Sequence, residues 1–116
     1  MKLWVDDVRP APDDYLWCKS VHEAIKTILY CERLQKYTFD KKTLELIDID
    51  HDAGDYANDG GDYIKLLDWL EETGRNYPIH IHSMNPVGVE NMSKIIQKNG
   101  WTEVKYTNET LSRRLH

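Results

Sequence analysis

Carboxylates crowd one stretch of the chain, residues 48–62. The stretch follows an apolar run at residues 44–47 and precedes residues 63–70, whose apolar side chains recur at helical spacing. It therefore lies where a strand ends and a helix begins, and this edge binds ligands in open α/β sheets. Asp50 and Asp52 stand closest to the strand end. We predict that they are functional, because clustered carboxylate oxygens repel one another and bind hard cations such as Mg²⁺ or Ca²⁺.

The rest of this acidic stretch has simpler interpretations. Asp55, Asn58 and Asp59 are typical loop residues. The spacing lacks the fixed offsets and the closing glutamate of an EF-hand, so we exclude that motif. Asp48 falls inside the predicted strand, where an unpaired carboxylate is unfavourable. A place in the site and a supporting or edge position both fit it.

A second acidic group follows the first predicted strand, residues 2–5. Asp6 and Asp7 come directly after this apolar run, which repeats the arrangement around Asp50. Arg9 is close behind. Its guanidinium can hold a phosphate through paired hydrogen bonds, or it can pair with Asp7 or Asp13, and the sequence favours neither alternative.

A third group lies around the strand predicted at residues 78–84. His80 and His82 alternate with isoleucines, and an Asn-Pro pair then begins a helix. His82, Ser83 and Asn85 thus lie between a strand end and a helix N-terminus, which is a good anion site. We predict that His82 transfers protons near neutral pH. The alternative is a structural histidine hydrogen-bonded to an aspartate, which is the interpretation we prefer for His80.

The periodicity predicts one α/β domain over residues 1–116. It is a three-layer domain with a mainly parallel five-stranded sheet in the order 2-1-3-4-5. The link between the first two strands is too short for a helical crossover and contains prolines, so we expect the first helix to be lost or reduced. The strands are expected at 2–5, 15–18, 44–50, 78–84 and 101–106, and the helices at 20–35, 62–73 and 86–99. Residues 107–116 can form at most a short helix.

The bulk composition excludes several classes of protein. The chain of 116 residues carries a net charge of −5, which argues against broad non-specific binding to nucleic-acid backbone. One nucleic-acid end bound in a small site stays compatible with this charge. No stretch is apolar enough to span a membrane, and the N-terminus does not resemble a signal peptide. We expect a cytoplasmic protein in which Cys18 and Cys31 are reduced.

The order of strands and carboxylates resembles the receiver domain of response regulators. In that family, an acidic pair and a third-strand aspartate bind Mg²⁺, and the aspartate accepts a phosphoryl group. The resemblance implies that Asp6 and Asp7 are the acidic pair and Asp50 the acceptor. It also implies phosphate contacts from the Ser83 hydroxyl and from Lys105.

Three motifs more closely resemble a divergent group, the cyclic-phosphate processing receiver domains. These motifs are Leu-Trp-Val-Asp-Asp-Val-Arg-Pro at 3–10, Asp-His-Asp at 50–52 and His-Ser-Met-Asn-Pro-Val-Gly at 82–88. The resemblance implies an enzyme that acts on cyclic phosphate ends of RNA or nucleotides during RNA repair. Its partner is then a phosphate-bearing nucleotide or RNA end.

From the residues and the resemblance together, we expect a metal-dependent phosphoesterase. Mg²⁺ or Mn²⁺ binds at Asp6, Asp7 and Asp50, and Asp52 is a direct ligand or an outer neighbour. Asp50 either attacks phosphorus or only binds the metal, and His82 or His51 moves the proton. Arg9, Asn85 and Lys105 contact the substrate. The alternatives are a signalling receiver phosphorylated at Asp50 and an inactive receiver that only binds a partner.

Overall fold

The computed structural model of the protein describes residues 1–37 and 44–106. Four strands and three helices form there, and a short 3₁₀ turn at Gly54–Asn58 separates the third strand from the second helix. In chain order the elements are β1 (Lys2–Val5), β2 (Tyr15–Cys18), α1 (Val21–Gln35), β3 (Leu46–Ile49), α2 (Ile64–Glu72), β4 (Ile79–Ile81) and α3 (Pro86–Lys98). The predicted N-caps are confirmed at two helices: Ser20 Oγ accepts from the Glu23 N–H, and Asn85 Oδ1 accepts from the Gly88 N–H.

The four strands are parallel and lie in the order β2-β1-β3-β4. This confirms the predicted order for these strands, but the prediction of a fifth is wrong. Within residues 99–106, the part after α3 that the structure describes, the chain makes one parallel bridge, between Ile79 and Glu103. Because β4 has three residues, this edge offers few backbone groups on which another strand could form a ladder.

All three helices pack against one face of the sheet. The alternation of the strands turns Leu3, Val5, Ile47, Ile49 and Ile79 toward that face. There they meet one apolar cluster contributed by all three helices: Ala24 and Ile28, then Leu66, Leu67 and Leu70, then Met92 and Ile96. The described residues therefore form two layers rather than the three we predicted.

The expected loss of the first helix explains the missing layer. Residues 6–14 join the parallel strands β1 and β2 without a helix. This link turns back over the face that the helices leave open, where the Trp4 Nε1–H donates to the Arg9 carbonyl at 2.8 Å. The Trp17 Nε1–H likewise donates to the Asp6 carbonyl at 2.8 Å. The link thereby brings Arg9 toward the end of the sheet where the acidic residues lie.

Over the described ranges, 1–37 and 44–106, none of the helices is both long and apolar enough to cross a bilayer.

Candidate functional site

Two of the predicted carboxylates meet at the carboxyl ends of neighbouring strands. Val5 of β1 pairs in register with Ile49 of β3, so Asp6 and Asp50 leave the sheet side by side. Asp6 is only 1% exposed, whereas Asp50 is partly exposed. One oxygen from each, together with a ring nitrogen of His82, lies within 4.8 Å of the others. These three groups are close enough to hold one metal ion.

Asp7 lies beside this group. A side chain at residue 54 would collide with Asp7 Oδ2, so Gly54, with φ +55°, allows the acidic loop to approach it closely. Burial raises the pKa of Asp7; a backbone hydrogen bond opposes this, and the charges of Asp6, Asp50 and Asp52 raise it further. The predicted carboxylates are thus near enough to repel one another, and a hard divalent cation would relieve that repulsion.

His51 and Asp52 form a hydrogen-bonded pair beside the carboxylates. His51 Nδ1 lies 2.8 Å from Asp52 Oδ1, and the His51 side chain is 16% exposed. Its ring packs on the first turn of α3, where a side chain in place of Gly88 would collide with it. A neutral ring that donates from Nδ1 presents Nε2 as a proton acceptor. A carboxylate that orients an imidazole in this way is typical of a general base.

His82 has both ring nitrogens engaged. Nδ1 lies 2.7 Å from Asp48 Oδ1, and Nε2 lies 2.8 Å from Asp6 Oδ2. The ring stacks on Trp4, with centroids 3.8 Å apart and planes 3° apart, and its side chain is 8% exposed. These contacts match the structural alternative that the sequence left open. Proton transfer by His82 stays a prediction, and His51, paired with the cleft-lining Asp52, is the other candidate.

Asp48 occupies a supporting position behind His82. It is fully buried, and its Oδ1 also lies 2.8 Å from His80 Nδ1. Burial acts to raise the pKa of Asp48, but the hydrogen bonds from His80 and His82 outweigh it and lower the pKa to about 2. Of the two places that the sequence allowed for Asp48, the structure therefore favours the supporting one.

This lowered pKa predicts a loss of stability in acid. A carboxyl whose folded-state pKa lies below its unfolded value, 3.8, stabilises the fold above that value and stops doing so as the pH falls through the folded pKa. The free energy of unfolding of wild type relative to Asp48→Asn should fall by about 2 kcal/mol between pH 4 and pH 2. Urea titrations across this range measure it. Asp68→Asn, which alters an exposed carboxylate on α2, is the control. A constant difference between wild type and Asp48→Asn would contradict the prediction.

A cleft opens beside these groups. Its volume is about 340 Å³, and five predicted residues and one methionine line it: Arg9, Asp50, Asp52, Ser83, Met84 and Asn85. Arg9 donates from Nη1 to the His82 carbonyl at 3.0 Å. The Ser83 hydroxyl accepts from the Asn85 N–H at 3.1 Å, just before α3 begins. A guanidinium, a hydroxyl and a helix N-terminus thus face the carboxylates across one cleft, which suits an anion bridged to a cation.

Lys105 does not join this cleft. Its Nζ lies 3.4 Å from Glu103 Oε2, and its side chain is 80% exposed. Because residues 99–106 form one bridge instead of a strand, no strand register there directs Lys105 toward the site. The predicted phosphate contact from this lysine therefore has no support in the described contacts.

Sequence reasoning missed two residues of the site. Trp4 stacks on His82. The sequence contained a signal for this contact, because strand alternation places Trp4 on the same face as Asp48 and His80, its neighbours in register on β3 and β4. Met84 lines the cleft and is 81% exposed. A lone methionine carries no pattern that would have identified it.

One family model matches residues 1–98, and it describes a cyclic-phosphate processing receiver domain. The matched range contains every predicted site residue apart from Lys105. No curated protein and no solved structure matches the chain significantly.

Proposed function

The chain belongs to the cyclic-phosphate processing receiver domains, and from this premise we propose that it hydrolyses cyclic phosphate ends of RNA or nucleotides in RNA repair. The reaction depends on a divalent cation, Mg²⁺ or Mn²⁺. The observation that carries the proposal is the cleft in which Asp50 and Asp52 face Arg9 and the start of α3. Such a cleft matches a phosphodiester that needs both a cation and hydrogen-bond donors.

The metal ligands we propose are Asp6, Asp7 and Asp50, with Asp52 as a further or outer contact. Their support is the close approach of Asp6 and Asp50, and the mutual repulsion that contributes to the raised pKa of Asp7. A bound cation would neutralise phosphate oxygens and make water more acidic.

The protein's own residues would bind the phosphate and move the proton. Arg9, the Ser83 hydroxyl and the N–H groups at the start of α3 would hold the non-bridging oxygens. His51, oriented by Asp52, would take the proton from the attacking water and return it to the leaving oxygen. One phosphorus–oxygen bond forms and one ring bond breaks, so a cyclic diester becomes a monoester.

A metal-dependent screen tests this function. Wild type is incubated with 2′,3′-cyclic nucleotides and with RNA that ends in a cyclic phosphate, with Mg²⁺, Mn²⁺ or EDTA. We expect a monoester product with either metal and none with EDTA, and Asp68→Asn as the matched surface variant should behave like wild type. The absence of product from every cyclic phosphate with both metals would refute the proposal.

A signalling receiver is the second candidate, because Asp50 and Ser83 line the same cleft as an acceptor and a hydroxyl would. The exposed position of Lys105 argues against it. Incubation with acetyl phosphate and Mg²⁺ separates the two candidates. A persistent acid-labile adduct on Asp50 without turnover of cyclic phosphates indicates a switch, and turnover without an adduct indicates the enzyme.

A further inference from the structure

Each of the three groups that could hold a cation is oriented by a hydrogen bond on the side away from the candidate cation site. Asp6 Oδ1 accepts two backbone N–H groups of the turn that follows it, at 2.9 and 2.8 Å. Asp50 Oδ1 accepts the His51 N–H at 2.7 Å. His82 Nδ1 lies 2.7 Å from Asp48 Oδ1. Outer hydrogen bonds of this kind orient metal ligands in proteins, and a ligating histidine usually donates its other ring N–H to a carboxylate, a backbone carbonyl or water.

The spacing of the inner atoms also fits shared coordination. His82 Nε2 lies 2.8 Å from Asp6 Oδ2, and Asp50 completes a group within 4.8 Å. Neighbouring ligand atoms of an octahedral ion at about 2.1 Å lie roughly 3 Å apart. The same separation therefore serves a hydrogen bond or two ligands of one ion. With its ring stacked on Trp4 and 8% exposed, His82 is held in this orientation.

We infer that His82 Nε2 is a protein ligand of the cation beside Asp6 and Asp50, and that Asp48 is the residue that positions it. An imidazole nitrogen binds softer divalent ions better than it binds Mg²⁺. The site should therefore prefer Mn²⁺ to Mg²⁺ more strongly than an all-oxygen site does. The inference rests on the proposed cation site. It gives His82 a role other than proton transfer and leaves that step to His51.

Metal binding without substrate tests the inference. Mn²⁺ bound to wild type should show nitrogen hyperfine coupling in pulsed electron paramagnetic resonance, and His82→Gln should lose it. His82→Gln should also bind Mn²⁺ roughly 10–100-fold more weakly, and its preference for Mn²⁺ over Mg²⁺ should decrease. His80→Gln is the matched control, because His80 lies on the same strand and contacts the same Asp48 oxygen. It should keep the coupling and stay within a few-fold of wild-type affinity.

Three results would overturn the inference. The first is Mn²⁺ binding to wild type without nitrogen coupling, and the second is equal loss of Mn²⁺ and Mg²⁺ affinity in His82→Gln, which means that His82 only positions Asp6. The third is no binding of either ion to wild type. Circular dichroism shows whether His82→Gln folds. If it does not fold, loss of the nitrogen coupling in Asp48→Asn but not in His80→Gln supports the inference. Persistence of the coupling in Asp48→Asn overturns the positioning role of Asp48. Coupled Mn²⁺ in a protein that hydrolyses no cyclic phosphate would keep this inference and refute the proposed reaction.

Discussion

Replacing His51 with glutamine is expected to lower kcat for a cyclic phosphate by roughly 10²–10⁴-fold. Glutamine keeps a polar side chain but cannot carry the proton between water and the leaving oxygen. KM and the Mn²⁺ dissociation constant should change little, because the His51 side chain contacts Asp52 and α3, and the hydrogen bond to Asp50 comes from the backbone N–H, which glutamine keeps. Steady-state kinetics with a 2′,3′-cyclic nucleotide, together with Mn²⁺ titration, measure both.

His22 supplies the matched control for this variant. Its Nδ1 lies 2.9 Å from Asp59 Oδ1, so it repeats the His–Asp pair of the site, but both side chains are 58% exposed, and Asp59 does not line the cleft as Asp52 does. His22→Gln should keep wild-type kcat. Asp52→Asn should lower kcat less than His51→Gln, since the histidine that carries the proton remains. Equal kcat in His51→Gln and wild type would eliminate His51 as the acid–base group.

Local sequence patterns were sufficient to predict where the strand-end carboxylates lie. Apolar runs predict β1 and β3, and the rule that parallel strands end at one edge predicts that Asp6 and Asp50 lie side by side, as they do. The loss of the first helix was also predictable, because nine residues with two prolines separate β1 from β2. These features depend on residues close in sequence or on general rules for parallel sheets.

The connections across the sheet could not be predicted in the same way. His82 contacts Asp6 across 76 positions and Asp48 across 34 positions, and those contacts depend on the exact register of three strands. A shift of one residue would have turned His82 toward the helices. The fifth strand failed for a related reason. Residues 101–106 contain three apolar side chains without strict alternation, and pairing depended on the length of β4, which we predicted to be longer than it is.

Register also explains why a buried histidine can affect an exposed cleft. Trp4, Asp48 and His80 lie side by side across β1, β3 and β4, on the face opposite the helices. Asp48, in the middle of this row, is hydrogen-bonded to His82, and His82 in turn contacts Asp6 at the strand end. The sheet face thereby fixes the inner wall of the site, while the loops after β1, β3 and β4 supply its outer groups.

Asp50→Asn is expected to lower turnover by about 10³-fold, because it removes a charged metal ligand at the reacting phosphate. The fold should survive, since an asparagine oxygen can still accept the His51 N–H that Asp50 Oδ1 accepts at 2.7 Å. Without metal, the variant should be more stable than wild type by roughly 1 kcal/mol, because one of several neighbouring carboxylates no longer repels the others.

Thermal melts with and without Mn²⁺ separate these effects. Metal-free Asp50→Asn should melt a few degrees above metal-free wild type, by about 4 °C per kcal/mol for a domain of this size. Mn²⁺ should then raise the Tm of wild type much more than that of the variant, because a ligand stabilises the state that binds it. Asp55→Asn, in the exposed 3₁₀ turn, is the matched control and should follow wild type in both conditions. If Mn²⁺ raises the Tm of wild type and Asp50→Asn equally, Asp50 does not bind the metal, and its effect on turnover must then come from direct attack on phosphorus.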